Sequence, residues 1–430
     1  MTGQRITSLV VDHLAQLLSQ VLRFDGPADA VMSRYFKRHA KLGSRDRSLI
    51  AEAVFFALRR LASLRWMMQP AHPQRAPRLA ALVTLARQHG ADALDPRALR
   101  SDERAVRHAF SKRLDLAPRA AQAEVPTWLY DRVSRQYEDA DALFAAMNEP
   151  APLDLRVNTQ RAQRDQVLAE LHAATRQHAP MNAEPTPYSP EGIRLHEKPG
   201  LTRWPLYQDG KIEVQDEGSQ LIARLVAPRR GEMVVDFCAG AGGKTLALGS
   251  LMRSTGRIYA FDIHARRLAG LGPRLKRSGL SNVHPAAIAS ENDLRVKRLS
   301  GKIDRVLVDA PCSGSGTLRR NPDLKWRFDE NELARVNEVQ HKVLRAASRL
   351  VKPGGRLVYA TCSLLAEENQ AVIERFITEQ PQFAPVPVVD VLRPQGISIP
   401  GLEDAAPYFV MLPHRHATDG FFAAVLQRRP

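Results

Sequence analysis

Two short runs, DAPCSGSGT (Asp309 to Thr317) and YATCSLLAEEN (Tyr359 to Asn369), each close an apolar stretch with a Cys followed by a Ser. The chain has only three cysteines, and two of them share this placement. A thiol in a strand-end loop can be a nucleophile, a redox partner, a metal ligand or a small buried apolar group. Cys312 and Cys362 lack the CxxC spacing of a redox pair. No CxxC pair or His-rich spacing accompanies them to build a zinc site. A lone Cys reads as core, but two in Gly/Pro/Ser loops with Asp309 nearby read as a nucleophile and its helper. Spacing alone does not say which is which.

The third cysteine opens a glycine-rich turn, VVDFCAGAGGKTLALG, between an apolar run and a helical pattern. Gly240, Gly242 and Gly243 let a ligand approach backbone there, at free N–H groups of a helix start. A Walker A loop needs Gly at 238, which is Cys238, and a dinucleotide fingerprint needs Gly at 245, which is Thr245. S-adenosylmethionine asks for a glycine turn at its amino-acid end and an acid on the next strand for its ribose. Asp262, in YAFDI, stands 19 residues after Gly243 and supplies that acid.

The elements that must position these residues are legible as alternation. MVVDFC, RIYAFDI, IDRVLVDAP and RLVYATCS are apolar, β-rich runs separated by amphipathic helical patterns, which predicts a parallel, doubly wound α/β sheet with ligands at its carboxyl ends. Ahead of it, the alternating LDLRVN, a helical pattern over Arg161 to His172 and the strand-like GIRL predict a small α+β module. Gln4 to about Glu124 reads as a helical bundle, with one stripe at Leu9, Val10, His13, Leu14, Leu17 and Leu18. A second runs through Leu49, Ile50, Ala53, Val54, Ala57 and Leu58, with Ser44 as a capping residue. Pro-containing breaks at Ala117 to Pro126 and Asn148 to Pro152 suggest linkers. The expected division is 1–145 helical, 150–205 small α+β, RRM-like, and 206–430 the large sheet.

The net charge is +16, and residues 1–120 hold 21 Lys plus Arg against 10 Asp plus Glu. Such an excess favours a polyanionic partner. No apolar run is long enough for a membrane span, Asp12 and His13 interrupt the first apolar stretch, and the odd cysteine count argues against a disulfide framework. A monomeric cytoplasmic protein without membrane or metal partners is expected.

DAPCSGSGT, RRNPDLKW (Arg319 to Trp326), KPGGRLVYATCSLLAEEN, EVQDEGSQL (Glu213 to Leu221) and TDGFFAAVLQRR (Thr418 to Arg429) together resemble the successive motifs of the Sun/Fmu family of S-adenosylmethionine-dependent RNA (cytosine-5) methyltransferases. The resemblance runs from about Pro152 to the C-terminus. The family's turn is commonly Ala-Ala-Pro-Gly-Gly, and here Gly240 and Ala241 depart from it. The Arg45, Asp46, Arg47 run ahead of a helical pattern is similar to NusB-like RNA-binding domains.

The resemblance implies that Cys362 is the nucleophile that adds to carbon 6 of cytosine, that Cys312 assists product release, and that Asp309 supports the base. It implies S-adenosylmethionine held by Cys238, Ala239, Gly240, Ala241, Gly242, Gly243, Lys244, Asp262 and Asp309. A further contact falls on Asn292 or Asp293, whose register stays open. RNA, ribosomal RNA first, is the implied substrate, its target base unstacked, with Arg319, Arg320 and Lys325 on phosphates and His414 and Arg415 facing the same cleft. Transfer RNA or DNA is the alternative substrate. Two readings of other classes compete: a non-catalytic RNA-binding assembly factor, which needs neither cysteine, and a phosphoryl-transfer enzyme using Lys244 and Thr245.

Overall fold

The computed structural model describes residues 5–99, 102–173, 179–197, 199–402 and 404–430. Gln4, from which the helical pattern runs, lies outside them. The chain forms two compact units, Met1–Pro150 with Thr317–Glu330, and Ala151–Gly316 with Asn331–Pro430.

The first unit is helical. Its helix Ser8–Val21 buries Val10, Val11, Leu14, Leu17 and Leu18, whereas Leu9, expected in the stripe, is 52% exposed. The stripe is thus turned by one position, with Val11 inside. Helix Ser44–Arg59 buries Ile50, Ala53, Val54, Ala57 and Leu58 as its spacing predicts. Ser44 is its first helical residue rather than its cap, a one-residue shift typical of helix ends. Trp326 packs on this core and donates its Nε1–H to the Leu58 carbonyl at 2.9 Å. The RRNPDLKW stretch, read in sequence as part of the large-sheet domain, therefore belongs to the helical unit.

The second unit holds two sheets. The smaller contains β1 (Leu153–Val157), β2 (Ala183–Pro185), β3 (Gly192–Leu195) and β4 (Ile212–Val214), antiparallel in the order β2-β3-β1-β4. Helix Arg164–His172 buries Val167, Leu168 and Leu171, as predicted. It begins three residues later than its pattern suggests because Gln163 and Gln166 form a reciprocal capping box.

The larger sheet contains β5 (Met233–Asp236), β6 (Arg257–Asp262), β7 (Val283–Ala287), β8 (Ile303–Asp309), β9 (Val351–Thr361), β10 (Phe383–Val386), β11 (Tyr408–Met411) and β12 (Phe421–Arg428). Its order is β10-β12-β9-β8-β5-β6-β7, with β11 beside β12. Strands β5 to β9 are parallel, and β10, β11 and β12 add an antiparallel edge. Val, Ile, Leu and Phe side chains fill separate cores on both faces, as a buried parallel sheet requires. Strand order reverses between β5 and β8, the switch point where such sheets bind ligands.

Candidate active site

The glycine turn, Asp262 and the two cysteine loops lie at the carboxyl ends of β5, β6, β8 and β9. Parallel strands at adjacent positions bring their following loops together, so Cys312, three residues past β8, meets Cys362, one residue past β9. Their Sγ atoms lie 3.4 Å apart and both side chains are half-buried. The bond to Cys362, reinforced by burial and by the charge of Glu368, holds the Cys312 thiol protonated well above the usual cysteine range.

A buried polar knot fixes this pair. Glu368 is fully buried and accepts the Ser313 N–H at 2.8 Å, the Ser313 hydroxyl at 2.5 Å, the Ser363 hydroxyl and the Gln340 amide at 3.1 Å. Ser313 and Ser363 each follow a cysteine, so one carboxylate ties both loops. Burial pushes Glu368 up, against the hydrogen bonds from Ser313 and Ser363. The Gly316 N–H donates to the Cys362 carbonyl at 2.9 Å, and the Gly420 N–H to the Gly316 carbonyl at 2.8 Å. A Cβ on Gly316 would stand 2.2 Å from the Gly420 oxygen, so only glycine allows this approach. Sequence reasoning missed Glu368, Ser313, Ser363 and Gln340. Their one local signal was the acid in AEEN.

Lys244, in the first turn of helix Gly243–Leu251, donates to Asp309 Oδ2 at 2.8 Å. Burial pulls Lys244 down, but Asp309 and Cys362 outweigh it and its pKa is raised. A firm cation thus stands beside the thiols, a field that favours thiolate. The ring of Phe421 lies under the ammonium, 5.6 Å away. Asp216 accepts both the Gly218 N–H at 2.9 Å and the Asp419 N–H at 3.1 Å, which joins the EVQDEGSQL and TDGFF motifs.

The glycine turn fits the expected cofactor. Gly240 and Gly242 have φ of 55° and 82°, and a Cβ on Gly242 would stand 2.2 Å from Leu271. Cys238 is half-buried, its thiol pushed far up by burial and then by Asp236, Asp309 and Asp262, so it suits a structural position in the turn. Ala239 is buried and Ala241 exposed at the bend. Asp262 accepts the Gly240 N–H at 2.8 Å and the His264 N–H at 2.7 Å, which leaves each oxygen further acceptor capacity. Ile263, immediately after it, is 56% exposed. Helix-start amides for a carboxylate, an acid for a diol and an apolar plate for a purine are the three things S-adenosylmethionine needs.

Other expected residues fare differently. Asp293 caps helix Leu294–Lys297, accepting from Ala289 N and Arg295 N at 3.0 and 2.8 Å, and these bonds hold its carboxyl low. Asn292 is exposed and bonds Glu291. Lys325 is a correction. Expected on phosphate, it is 3% exposed inside the helical unit, donating to the Arg59 carbonyl at 3.1 Å and Asn148 Oδ1 at 3.0 Å. Burial, partly offset by Glu124, lowers it to about 7. Arg319 and Arg320 lie in the same unit and are half-buried. His414 and Arg415 sit on the short helix Pro413–His416, Arg415 exposed. Among the described residues there is no metal-binding cluster and no helix long and apolar enough to cross a membrane.

Comparison with known proteins names the fold and chemistry. The family model of the 16S rRNA methyltransferase RsmB/F matches residues 223–427, and that of the ferredoxin-like domain of RsmF/B-like methyltransferases matches 125–202. A probable ribosomal RNA small subunit methyltransferase B of Synechocystis sp. is 32% identical over 96% of this chain and 98% of its own. The ribosomal RNA small subunit methyltransferase B of Citrobacter koseri is 29% identical over 90% and 92%. The crystal structure of a methyltransferase homolog from Pyrococcus horikoshii superposes with TM-score 0.60 at 29% identity, over 72% of this chain and 97% of that one. The crystal structure of PH0851 superposes with TM-score 0.79 at 25% identity, over 99% and 100%. With both cysteine loops inside the matched region and a relative aligned almost end to end, the chain belongs to the RsmB/F, or Sun/Fmu, family of S-adenosylmethionine-dependent RNA methyltransferases.

Proposed function

We propose that this enzyme methylates carbon 5 of a cytosine in ribosomal RNA through a transient bond between Cys362 and carbon 6. The observation that carries this reading is the 3.4 Å approach of two thiols beside a Lys–Asp pair at the sheet's switch point. Carbon 5 of cytosine is a poor nucleophile. Addition of the Cys362 thiolate to carbon 6 pushes the ring electrons toward carbon 5, making it enamine-like. S-adenosylmethionine, when bound, supplies the electrophilic methyl group. Carbon 5 would then take that methyl as the sulfonium sulfur leaves with the bonding pair, a base would remove the carbon-5 proton, and the carbon 6–sulfur bond would break to restore the thiolate.

The asymmetry of the thiols supports Cys362 as nucleophile. Cys312 is held protonated by its bond to Cys362 and by burial, which leaves the attack to Cys362. Asp309, anchored by Lys244, would meet the cytosine amino group and ring nitrogen. Asp262 would hold the ribose, the turn from Cys238 to Lys244 the methionine end, and Asn292 or Asp293 a further edge of the cofactor. Arg319 and Arg320 would take RNA phosphates. The helical unit, with the excess of positive charge in residues 1–120, would gather RNA.

The test is transfer from labelled S-adenosylmethionine to unmodified ribosomal RNA and, in parallel, to transfer RNA, followed by nucleoside analysis. Label in 5-methylcytidine with wild type, and none with Cys362→Ala, is the expected result. Full activity of Cys362→Ala, or label in another nucleoside, overturns the assignment.

A further inference from the structure

The amino ends of β5, β8 and β9, on the side of the large sheet away from the cysteines, enclose a polar cavity of about 370 Å³. Strand register sets its character. Arg305 of β8 is the direct partner of Arg356 of β9, so two guanidinium groups stand side by side on one face. Like charges at a cross-strand pair are unfavourable unless something negative lies between them.

The carboxylates present are already committed. Glu232 takes the Arg305 fork, Nε to Oε2 at 2.7 Å and Nη2 to Oε1 at 3.2 Å, and also accepts the Arg229 N–H at 2.7 Å. Asp304 pairs with Lys352 and accepts the Met233 N–H at 2.8 Å. Arg356 is left with one long bond, Nη1 to the Leu225 carbonyl at 3.4 Å, and its buried Nε has no partner. Arg229 is exposed on the rim, and its side chain makes no ion pair among the described residues. Four cations line the cavity against two carboxylates, an excess of two positive charges. Burial, then Arg305 and Arg229, push Arg356 down to about 10 against Glu232, which leaves it charged at neutral pH and still short of a counter-charge.

We infer that this cavity is a phosphate-binding site, with Arg356 and Arg229 as its free ligands. Planar guanidinium forks match phosphate oxygens in pairs, and the volume admits one or two phosphate groups. The site is separate from the cysteines, because Arg305 stands four residues before Asp309 on β8, roughly 13 Å along the strand. The phosphate belongs either to the backbone of bound RNA or to a free small ligand.

Isothermal titration with inorganic pyrophosphate at low ionic strength tests this on wild type, Arg356→Gln and Arg229→Gln. Saturable one-site binding by wild type, weakened at least tenfold in each variant, is expected. No saturable binding by wild type, or an affinity equal to that of wild type in both variants, overturns the site. Arg229 is exposed, so its variant reads out binding even where Arg356→Gln disturbs folding. A second titration in the presence of saturating RNA oligonucleotide separates the sources. Displacement of pyrophosphate, with the RNA salt slope reduced by about 0.7 in Arg356→Gln, assigns the phosphate to the RNA backbone. Undiminished pyrophosphate binding assigns it to a free ligand, and either outcome upholds the site.

Discussion

Glu368 accepts both the N–H and the hydroxyl of Ser313, at 2.8 and 2.5 Å, one residue beyond Cys312. The same carboxylate holds Ser363, one residue beyond Cys362. The spacing of the two sulfurs therefore rests on a residue that touches neither of them. Glu368→Ala leaves the Ser313 N–H without an acceptor in a dry interior and the Gln340 amide with the Pro311 carbonyl alone, which costs about 3 kcal/mol of stability. It also frees the loops, and we expect methyl transfer to fall at least tenfold, with Glu368→Gln falling less because its amide oxygen still accepts. Denaturant unfolding together with steady-state transfer checks both. Unchanged kcat in a folded Glu368→Ala protein would remove the positioning role.

Cys312→Ala should trap the reaction rather than prevent it. On the proposed mechanism the Cys362 adduct would still form when residue 312 is alanine while its release would be impaired, so a protein–RNA band is expected on a denaturing gel in the presence of S-adenosylmethionine. Cys362→Ala should give no such band. A band in Cys362→Ala and none in Cys312→Ala reverses the roles of the two thiols.

The sheet and its strand-end loops were legible because apolar runs of fixed length, bounded by Gly, Pro and Asp, leave few alternatives to alternating strands and helices. DAPCSGSGT and TCS could be read as one site for the same reason, since neighbouring parallel strands deliver their ends together. Lys325 was not legible. A lysine among basic residues reads as solvated, and its burial depends on Asn148 and Arg59, 177 and 266 residues away in sequence. Glu368 was hidden likewise. It follows Glu367, which is half-buried, and nothing local tells which of the two turns inward. Leu9 went the other way, because a stripe of apolar residues with Val11 adjacent fits two helix faces almost equally well.

Asp236 should make the stability of the second unit fall as pH rises. It is buried at the end of β5, accepts the Thr245 hydroxyl at 2.6 Å on Oδ2, and has no partner on Oδ1. Burial, opposed by the Thr245 bond, raises its pKa from 3.8 to about 7, with Asp309 adding to the rise. A carboxyl raised on folding contributes fully below about pH 4 and loses that contribution as pH climbs through about 7. The slope from this one residue is at most about 1.4 kcal/mol per pH unit. Asp236→Asn should flatten this part of the profile, and unfolding of both proteins between pH 5 and 8.5 measures it. An identical slope in the variant would show that Asp236 is ionised throughout.

Lys325 and Arg320 lie five residues apart in one basic stretch and should respond oppositely to substitution. Lys325 lies inside the helical unit with two hydrogen bonds and its charge disfavoured by burial, so Lys325→Ala opens a cavity and strands the Asn148 oxygen. That should cost about 1–3 kcal/mol of stability and leave the salt dependence of RNA binding unchanged. Arg320 is half-buried and proposed on a phosphate, so Arg320→Ala should lower the salt slope by about 0.7 for single-stranded RNA with a stability change within roughly 0.5 kcal/mol. Binding isotherms at four salt concentrations, paired with denaturant melts, separate the two. A reduced slope in a fully stable Lys325→Ala protein would mean that the lysine reaches RNA after all, which its position behind Asn148 forbids unless the helical unit opens.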